Sequence, residues 1–166
     1  MRAFKTVQKF AVVTIALFFA ACSSDSDGGG GGTSGFYMKA KIDGDNFSSS
    51  SFVECVATVA GGTLNIQSSD NSGNAFQIQV PNYTGEGTYT SGNNDITMGY
   101  INFMDMGATI GDFTSYTSVR GDGQVIITAV TDTQIEGTFT ATAVENVDGS
   151  TNDVEITDGE FRAEIQ

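Results

Sequence analysis

Four of the five tyrosines lie in one stretch of the chain, residues 81–122: Tyr83, Tyr89, Tyr100 and Tyr116. The same stretch contains Asn, Gly and Asp and has the poorest strand pattern, so we expect variable loops on a rigid β scaffold, where binding sites commonly lie. Aromatic rings stack on sugar rings, and Asn and Asp side chains bind sugar hydroxyls. These four tyrosines are therefore the candidate ligand-binding residues, for a glycan. The alternative is that they pack at strand ends with their hydroxyl groups in water, and the absence of Trp favours that alternative.

Histidine-dependent catalysis is excluded, because the chain contains no His. Serine and cysteine nucleophiles that need a His base are excluded with it, as are HExxH zinc sites. An enzyme would have to work with carboxylates alone, as glycosidases do. Asp105, Asp112 and Glu136 lie near apolar residues, but their spacing does not show which acids converge. We assign no catalytic residue and expect a non-enzymatic protein, with a carboxylate-based glycosidase as an alternative.

Calcium is the metal that the acidic turns could hold, since hard cations take several oxygen ligands at once. None of these turns matches the spaced calcium loop with its distal Glu, and Asp and Asn are also the residues that β-turns prefer. We assign no metal ligand and no cofactor, and calcium stays open. The residues concerned are Asp43, Asp45, Asn46, Asp70, Asn71, Asn93, Asn94, Asp95, Asp148, Asn152 and Asp153.

The charge balance excludes nucleic acid as a partner. Lys and Arg total 7 against 20 Asp and Glu, a net charge of −13. Binding along a phosphate backbone needs a surface of cations, and this chain cannot build one. A glycan or a surface protein remains as partner, and the sequence does not specify an oligomeric state.

Residues 1–21 have the three-part layout of a secretory signal peptide. A basic start precedes an apolar run from Phe10 to Ala20, and small residues follow. The apolar run is too short for a bilayer-spanning helix, which needs about 20 residues. We predict cleavage between Ala21 and Cys22. Cleavage there removes three of the 7 basic residues and leaves four against 20 acidic ones, a balance of −16.

The order Phe19-Ala20-Ala21-Cys22 resembles the bacterial lipobox, in which small residues precede a cysteine that is lipidated and becomes the first mature residue. Phe19 departs from the Leu that is usual there. An ordinary secretory signal with an incidental Cys22 is the alternative. A lipidated Cys22 would tether the protein to a membrane without a spanning segment. Cys55 would then have no disulfide partner, and we expect it to be a buried small hydrophobic residue.

Residues 22–35 comprise the lipidated cysteine and a flexible tether of Ser, Asp and Gly. Cysteine followed by Ser and Asp and then by polyglycine resembles lipoproteins of the Bacteroidota. Acidic residues just after the cysteine can accompany display on the outer face of the outer membrane in that group. The resemblance implies a lipid-anchored outer-membrane protein exposed at the cell surface, and this inference depends on Asp25 and Asp27. A periplasm-facing orientation is the alternative.

Residues 36–166 have the two-residue periodicity of strands and predict a single all-β domain. Turn signals separate short strands at regular spacing, as in an antiparallel β-sandwich of about nine or ten strands. An up-and-down, lipocalin-like β-barrel is the alternative architecture. The clearest strand segments are 36–42, 64–66, 76–80, 125–129, 135–143, 154–156 and 161–165.

Three local patterns predict hairpin turns. Residues 43–46 set Ile42 opposite Phe47, and the pair Asp158-Gly159 suits a two-residue type I′ turn that sets Ile156 opposite Phe161 and Glu155 opposite Arg162. The third turn is Arg120-Gly121-Asp122, which is also the tripeptide that integrins recognise, and turn chemistry explains it without adhesion. Residues 86–90 (EGTYT) and 136–140 (EGTFT) also repeat one formula.

The run from Gly123 to Phe161, with its GTF-type strand and its terminal TDGxF hairpin, is similar to uncharacterised lipoprotein domains of the Bacteroidota. That resemblance covers residues 36–166 and implies fold and location, with no assigned activity. We expect a lipid-anchored envelope protein that binds a glycan or another extracellular macromolecule or has a structural role. The alternative is a barrel that carries a small apolar ligand, since inward Phe, Ile and Val would line a cavity as well as fill a core.

Overall fold

The computed structural model describes residues 35–97, 99–107 and 111–166. These residues form ten strands and no helix, so the predictions of an all-β fold and of nine or ten strands are confirmed. No helix in these ranges is long and apolar enough to cross a membrane. The predicted signal peptide, Ala21, Cys22 and residues 23–34 of the tether lie outside the described residues. The strands are β1 Tyr37–Ile42, β2 Asp45–Ser48, β3 Val56–Ala60, β4 Thr63–Ser69, β5 Ala75–Val80, β6 Gly87–Gly92, β7 Tyr100–Met106, β8 Phe113–Val130, β9 Gln134–Glu145 and β10 Asp153–Ile165.

The strands form one sheet whose ladders close on themselves. β9 pairs with both β8 and β10, and the path from β10 continues through β3, β4, β5 and β7 back to β8. Every ladder is antiparallel except the short one in which Glu164 and Ile165 of β10 pair with Val56 and Ala57 of β3. β1 pairs with β10 between Ile156 and Arg162, β2 pairs with the other edge of β1, and β6 lies along the second half of β8. This closed sheet is compatible with the sandwich and with a barrel, although its strand order is not purely up-and-down.

The two-residue periodicity sends alternate side chains of each strand into one core. In the middle of the sheet, Ile66, Ile78 and Ile101 form one cross-strand row and are all fully buried. Phe76 lies at the centre of an aromatic cluster, with ring centroids 4.8 Å from Phe47, 5.0 Å from Phe103 and 5.3 Å from Phe139. Side chains therefore fill the interior, and the outward positions of the same strands form the surface.

The hairpin between β1 and β2 is confirmed, but its predicted register is wrong. Ile42 pairs with Asp45, and Phe47 pairs with Ala40. The turn contains only Asp43 and Gly44, which have φ of 51° and 91°. Positive φ at both central residues is the signature of a type I′ turn, whose twist matches that of the flanking strands. Because the turn is two residues shorter than predicted, the partners of Ile42 and Phe47 both change.

The prediction of a hairpin at Asp158-Gly159 is wrong. Both residues lie inside the continuous strand β10, where the register shifts between Ile156 and Gly159. Ile156 pairs with Ile42 and Phe161 pairs with Met38, so both contact β1 rather than each other. Asp158 has φ of 51°, so Asp-Gly here forms a β-bulge. The bulge and the type I′ turn need the same left-handed backbone, and local sequence does not separate them.

The predicted turn at Arg120-Gly121-Asp122 is likewise a bulge, inside the 18-residue strand β8. The pairing of β8 with β9 shifts between Thr117 and Asp122. Arg120 donates hydrogen bonds from Nη1 to the carbonyl oxygens of Glu145, at 2.9 Å, and Val147. The tripeptide is therefore a bend in a paired strand, and its arginine holds the loop that follows β9.

The repeated formula at residues 86–90 and 136–140 has a structural counterpart. The two segments flank the same part of β8 in the same register, so that Tyr89 and Phe139 both pair with Val125 and Thr88 and Thr138 both pair with Ile126. The two edges of β8 thus pair with two segments of nearly the same sequence.

Candidate functional site

A surface cavity of about 440 Å³ lies on the outer face of β4, β5 and β7. Three consecutive residues of each strand line it, centred on the cross-strand row Ser68, Phe76 and Phe103. That central row turns its side chains to the core, so its backbone forms the floor. The flanking rows turn their side chains outward and form two walls of a groove that crosses the strands.

Three side-chain amides form one wall. Gln67 pairs with Gln77, and Gln77 pairs with Asn102, so the three lie side by side across β4, β5 and β7. We call the cavity the amide groove, and we call this row of Gln67, Gln77 and Asn102 its amide wall. Gln67 is exposed, and Gln77 and Asn102 are half-buried. Their side chains make no hydrogen bond to any other residue in the described part of the chain.

The opposite wall has two small polar residues at its ends and an apolar centre. It is formed by Ser69, Ala75, Met104 and Ser115, which form the next cross-strand row. Met104 has 41% of its surface exposed although it lies on a regular strand. The groove therefore offers hydrogen bonds from one side and apolar contact from the other.

Two loops close the ends of the amide groove, at Val53 and at Asn146. Ser50 fixes the first loop, because its Oγ accepts a hydrogen bond from the Val53 backbone N–H at 3.0 Å while its own N–H donates to the Ser69 carbonyl at 2.8 Å. The second loop is joined to β8 by the Asn146 N–H, which donates to the Ser115 carbonyl at 2.7 Å. Both ends are thus connected to strands that form the walls.

A second polar row continues beyond the amide wall. Asn65 pairs with Gln79, and Gln79 pairs with Tyr100. The Tyr100 hydroxyl donates to Gln79 Oε1. The Asn65 Oδ1 is buried and has no hydrogen-bond partner among the described residues. A buried unpaired amide oxygen is costly, so this row has unused capacity for a donor.

The structure places the four candidate tyrosines at three different sites. Tyr100 lies on the outer face, one row from the amide groove. Tyr83 and Tyr89 pack together against the core with ring centroids 6.2 Å apart. Tyr116 faces inward and stacks on Phe103 at 6.3 Å. Only Tyr100 could contribute to a site that includes the amides.

Sequence reasoning missed Gln67, Gln77 and Asn102. Polar residues at alternate positions of a strand are typical of any solvated sheet face, so they carried no signal on their own. The usable signal is their type: all three are amides, and the outward positions of β4, β5 and β7 contain no charged residue. That signal becomes specific only when the strands are known to be neighbours.

A second cavity, of about 310 Å³, is lined by Asp43, Asp45, Asp70, Asp105 and Tyr116 among others. Two of these acids accept hydrogen bonds from backbone N–H groups. Asp43 Oδ1 accepts from the Glu155 N–H at 2.8 Å, and Asp70 Oδ1 accepts from the Asn74 N–H at 2.9 Å. Burial, and then the nearby Asp105 carboxylate, raise the pKa of Tyr116. Within the described ranges, no three Cys, Asp or Glu side chains are grouped as metal ligands.

Cys55 is the free cysteine of the described residues and is fully buried, as predicted. Burial raises the pKa of its thiol to about 12. Because the thiolate is the nucleophile, Cys55 is inert at neutral pH.

The loop at the Asn146 end of the groove is held by Glu145. The Glu145 carboxylate accepts from the Ser150 hydroxyl at 2.6 Å and from the Asn152 side-chain amide at 2.9 Å. These hydrogen bonds hold the pKa of Glu145 below its ordinary value of 4.5. A carboxyl group with a lowered pKa stabilises the folded loop above that ordinary value, and the contribution is lost as pH falls through the lowered pKa.

We therefore expect the Asn152 side-chain amide resonances to titrate with a midpoint below 4.5, the ordinary value for Glu145. Glu145→Gln removes the ionisable group and should abolish this titration. The measurement is an NMR pH titration of the wild type and the variant between about pH 7 and pH 2.5. A wild-type midpoint at or above the ordinary value would show that the carboxylate does not hold the loop.

Comparison with known proteins gives a family for the chain. The model of a family described as Domain of unknown function (DUF6252) matches residues 35–163. The chain belongs to this family. The matched residues include all ten strands except the last residues of β10, so the amide groove lies within the family's domain. Searches of the curated proteins and of the solved structures found no match.

The family description carries no activity. The family therefore supports the expectation of an uncharacterised domain.

Proposed function

We propose that this protein is a lipid-anchored, non-enzymatic module of the cell envelope that binds glycan in the amide groove. The observation that carries the proposal is the wall of Gln67, Gln77 and Asn102, three side-chain amides in register with no hydrogen bond to the rest of the described chain.

Amides suit sugar hydroxyls because each side chain offers a carbonyl acceptor and an NH₂ donor a short distance apart. A hydroxyl group both donates and accepts, so neighbouring hydroxyls of one ring can bond both ends of one amide. The wall of Ala75 and Met104 supplies the apolar contact that the C–H face of a sugar ring needs. Binding sites of this kind combine apolar lining with a few placed polar groups.

The length of the groove fits an oligosaccharide. It crosses from β4 through β5 and β7 to Ser115 of β8, which is three strand spacings, or roughly 14 Å. The floor consists of paired backbone, so the groove is preformed and binding costs little ordering of the protein. A chain of a few sugar units would lie across the strands, between the Val53 and Asn146 ends.

The interior does not offer an equal site. Phe76, Phe139 and Phe161 are at most 1% exposed, and their rings contact one another through the core. A carrier of a small apolar ligand would need that volume. A glycosidase would need two carboxyl groups facing each other across the substrate, and none of the described residues that line the amide groove is acidic.

The binding site is tested by replacing two of its amides. Gln77→Ala with Asn102→Ala should weaken glycan binding about 100-fold, because each lost hydrogen bond is worth about one power of ten. The measurement is isothermal titration of the full chain in detergent with neutral oligosaccharides of several linkages. Stability should change by less than about 0.5 kcal/mol, since both side chains lie on the surface.

Gln124→Ala is the matched control, because Gln124 is an exposed glutamine on a strand outside the groove. It should bind like the wild type. If no oligosaccharide binds the wild type, or if the double variant binds as the wild type does, the proposed site is wrong.

The anchoring part of the proposal depends on residues 1–35. The lipobox-like order Phe19-Ala20-Ala21-Cys22 supports lipidation of Cys22, and Asp25 and Asp27 support display outside the outer membrane. The Ser, Asp and Gly composition of residues 22–35 is the composition expected of a tether between a lipidated Cys22 and the domain.

Cys22→Ser should release the protein from the membrane fraction, because the acyl chains would be lost and no other anchor is proposed. Membrane fractionation of cells that express the wild type or the variant measures this, with mass spectrometry of the wild-type N-terminus. Cys55→Ser is the control, since Cys55 is buried in the fold. Membrane retention of Cys22→Ser, or an unmodified Cys22 in the wild type, would contradict lipid anchoring.

Display at the surface is tested separately by protease treatment of intact cells. We expect digestion of the wild type, and reduced digestion when Asp25 and Asp27 are both changed to Asn. Protection of the wild type until the outer membrane is opened would show the periplasm-facing orientation.

A further inference from the structure

The basic residues of residues 35–166 are all engaged within the fold. Lys39 pairs with Glu160 at 2.9 Å, Lys41 with Asp158 at 2.8 Å, and Arg162 with Glu136 at 2.9 Å. Arg120 donates to the carbonyl oxygens of Glu145 and Val147. Three of these four cations therefore neutralise acids on the outer face of β1, β9 and β10. Among the described residues, Arg120 is the cation without a carboxylate partner, and its hydrogen bonds go to backbone carbonyl oxygens.

The amide groove and its second row are uncharged. No Asp, Glu, Lys or Arg is among the twelve residues that line the cavity, or among Asn65, Gln79 and Tyr100 beyond it. This neutrality contrasts with the rest of the molecule, because 20 acidic residues against 7 basic ones give the chain a net charge of −13. The groove is therefore a neutral strip on a chain of net negative charge.

An anionic ligand in this strip would lose water without gaining a cation. An ionised carboxylate or sulfate that leaves water needs a charged partner or several hydrogen bonds, and the amides supply only neutral donors. The Glu145 carboxylate, next to the Asn146 end of the groove, would repel the anion, and the Arg120 guanidinium on the same loop offsets only part of this repulsion because it is bound to the Glu145 and Val147 carbonyl oxygens. Like-charge repulsion of this kind rejects wrong ligands.

We propose that the amide groove selects uncharged oligosaccharides and rejects those with carboxylate or sulfate groups. This inference rests on the proposed function and names the ligand class for the same site. Neutral hydroxyl groups satisfy the unused amides of Gln67, Gln77 and Asn102. Selection against anions follows from the net negative charge of the chain and from the absence of Lys and Arg among the described residues that line the groove.

Matched pairs of oligosaccharides test the selection. The neutral members are methyl-esterified oligogalacturonides and unsulfated agar oligosaccharides, and the anionic members are the same chains with free carboxylates or with sulfate. Linear gluco-, manno- and xylo-oligosaccharides complete the neutral set. The full chain in detergent is titrated with each probe at about 20 mM and about 300 mM salt.

We expect at least one neutral probe to bind with an affinity that does not depend on salt. Where the neutral member of a pair binds, its anionic partner should bind at least 10-fold more weakly at low salt. This difference in affinity should become smaller at high salt, because salt screens the repulsion. Gln77→Lys adds a cation to the wall and should narrow this difference at low salt. Gln124→Lys adds the same charge outside the groove and should change it less.

The outcomes separate the two proposals. An anionic probe that competes with a neutral probe and binds as tightly as its neutral partner overturns the charge selection and leaves glycan binding intact. If neutral probes bind but Gln77→Lys leaves the affinity difference between neutral and anionic probes unchanged, the wall that contains Gln77 does not select against anions. Failure of every probe to bind overturns the proposed function and the selection with it.

Discussion

Phe139→Ala should lower the free energy of unfolding by about 4 kcal/mol, the range found when a buried aromatic side chain is truncated in a closed core. Phe139 is 1% exposed, and its ring lies between Phe76, at 5.3 Å, and Phe161, at 6.3 Å. It projects from β9, which joins β8 and β10 and so closes the sheet. A cavity at this position would remove the contacts of Phe139 with Phe76 on one side and with Phe161 on the other. Denaturant unfolding of the variant and the wild type measures the loss.

Phe113→Ala is the matched control. Phe113 also projects from a strand, but 62% of its surface is exposed. Its truncation should change stability by less than about 0.5 kcal/mol. Equal losses at the two positions would mean that Phe139 is not in a packed core, and the argument against an interior ligand site would fail with it.

Gly121→Ala should cost at least about 3 kcal/mol, because there is no room for a side chain at the bulge of β8. A Cβ at Gly121 would lie 1.9 Å from the Thr142 carbonyl oxygen, which belongs to the backbone of β9 and cannot move alone. The substitution must therefore separate β8 from β9 at the shift in their register. For a domain of this size we expect the melting temperature to fall by about 10 °C.

Gly61→Ala separates this steric effect from the general cost of replacing a glycine. Gly61 has φ of 57°, and a Cβ there would have no neighbour within 4 Å. Its substitution should cost only about 1 kcal/mol, from the left-handed backbone alone. If Gly121→Ala is as mild as Gly61→Ala, residues 120–122 form an open turn and not a bulge in a paired strand.

The strands and the core were largely predictable from the sequence. The two-residue periodicity at 64–66, 76–80 and 135–143 identifies core positions that the structure buries, such as Ile66, Ile78 and Phe139. This success has a simple cause: each strand has one face in the core, so its apolar residues alternate wherever it pairs. The fold class needs no more information than that.

The bends of the long strands could not be predicted from local sequence. Asp158-Gly159 and Arg120-Gly121-Asp122 have the composition of hairpin turns, and the structure uses both as bulges in β10 and β8. A hairpin reverses the chain and a bulge does not, although the glycine-containing turn chemistry is shared. In β10, only the pairing with β1 on one side and with β9 on the other distinguishes the bulge from a hairpin.

The amide groove was beyond sequence reasoning for a related reason. Its wall joins Gln67 and Gln77 of one hairpin to Asn102 of β7, which pairs with β5 although β6 lies between them in the chain. The tyrosines were candidates because aromatic rings stack on sugar rings, but three of the four pack inward. A binding face of amides becomes visible only when the order of the strands is known.

The most direct test of glycan binding at the amide groove is an NMR titration that follows the side-chain NH₂ resonances of Gln67, Gln77 and Asn102. Neutral oligosaccharides that bind should shift these three resonances in a saturable way, with Gln124 and Gln134 unchanged because both lie outside the groove. Shifts confined to Tyr116 and the acidic cavity, or to core methyl groups such as those of Ile78, would contradict the account. They would place the ligand at the cavity lined by Asp43 and Asp105 or in the interior of the sheet.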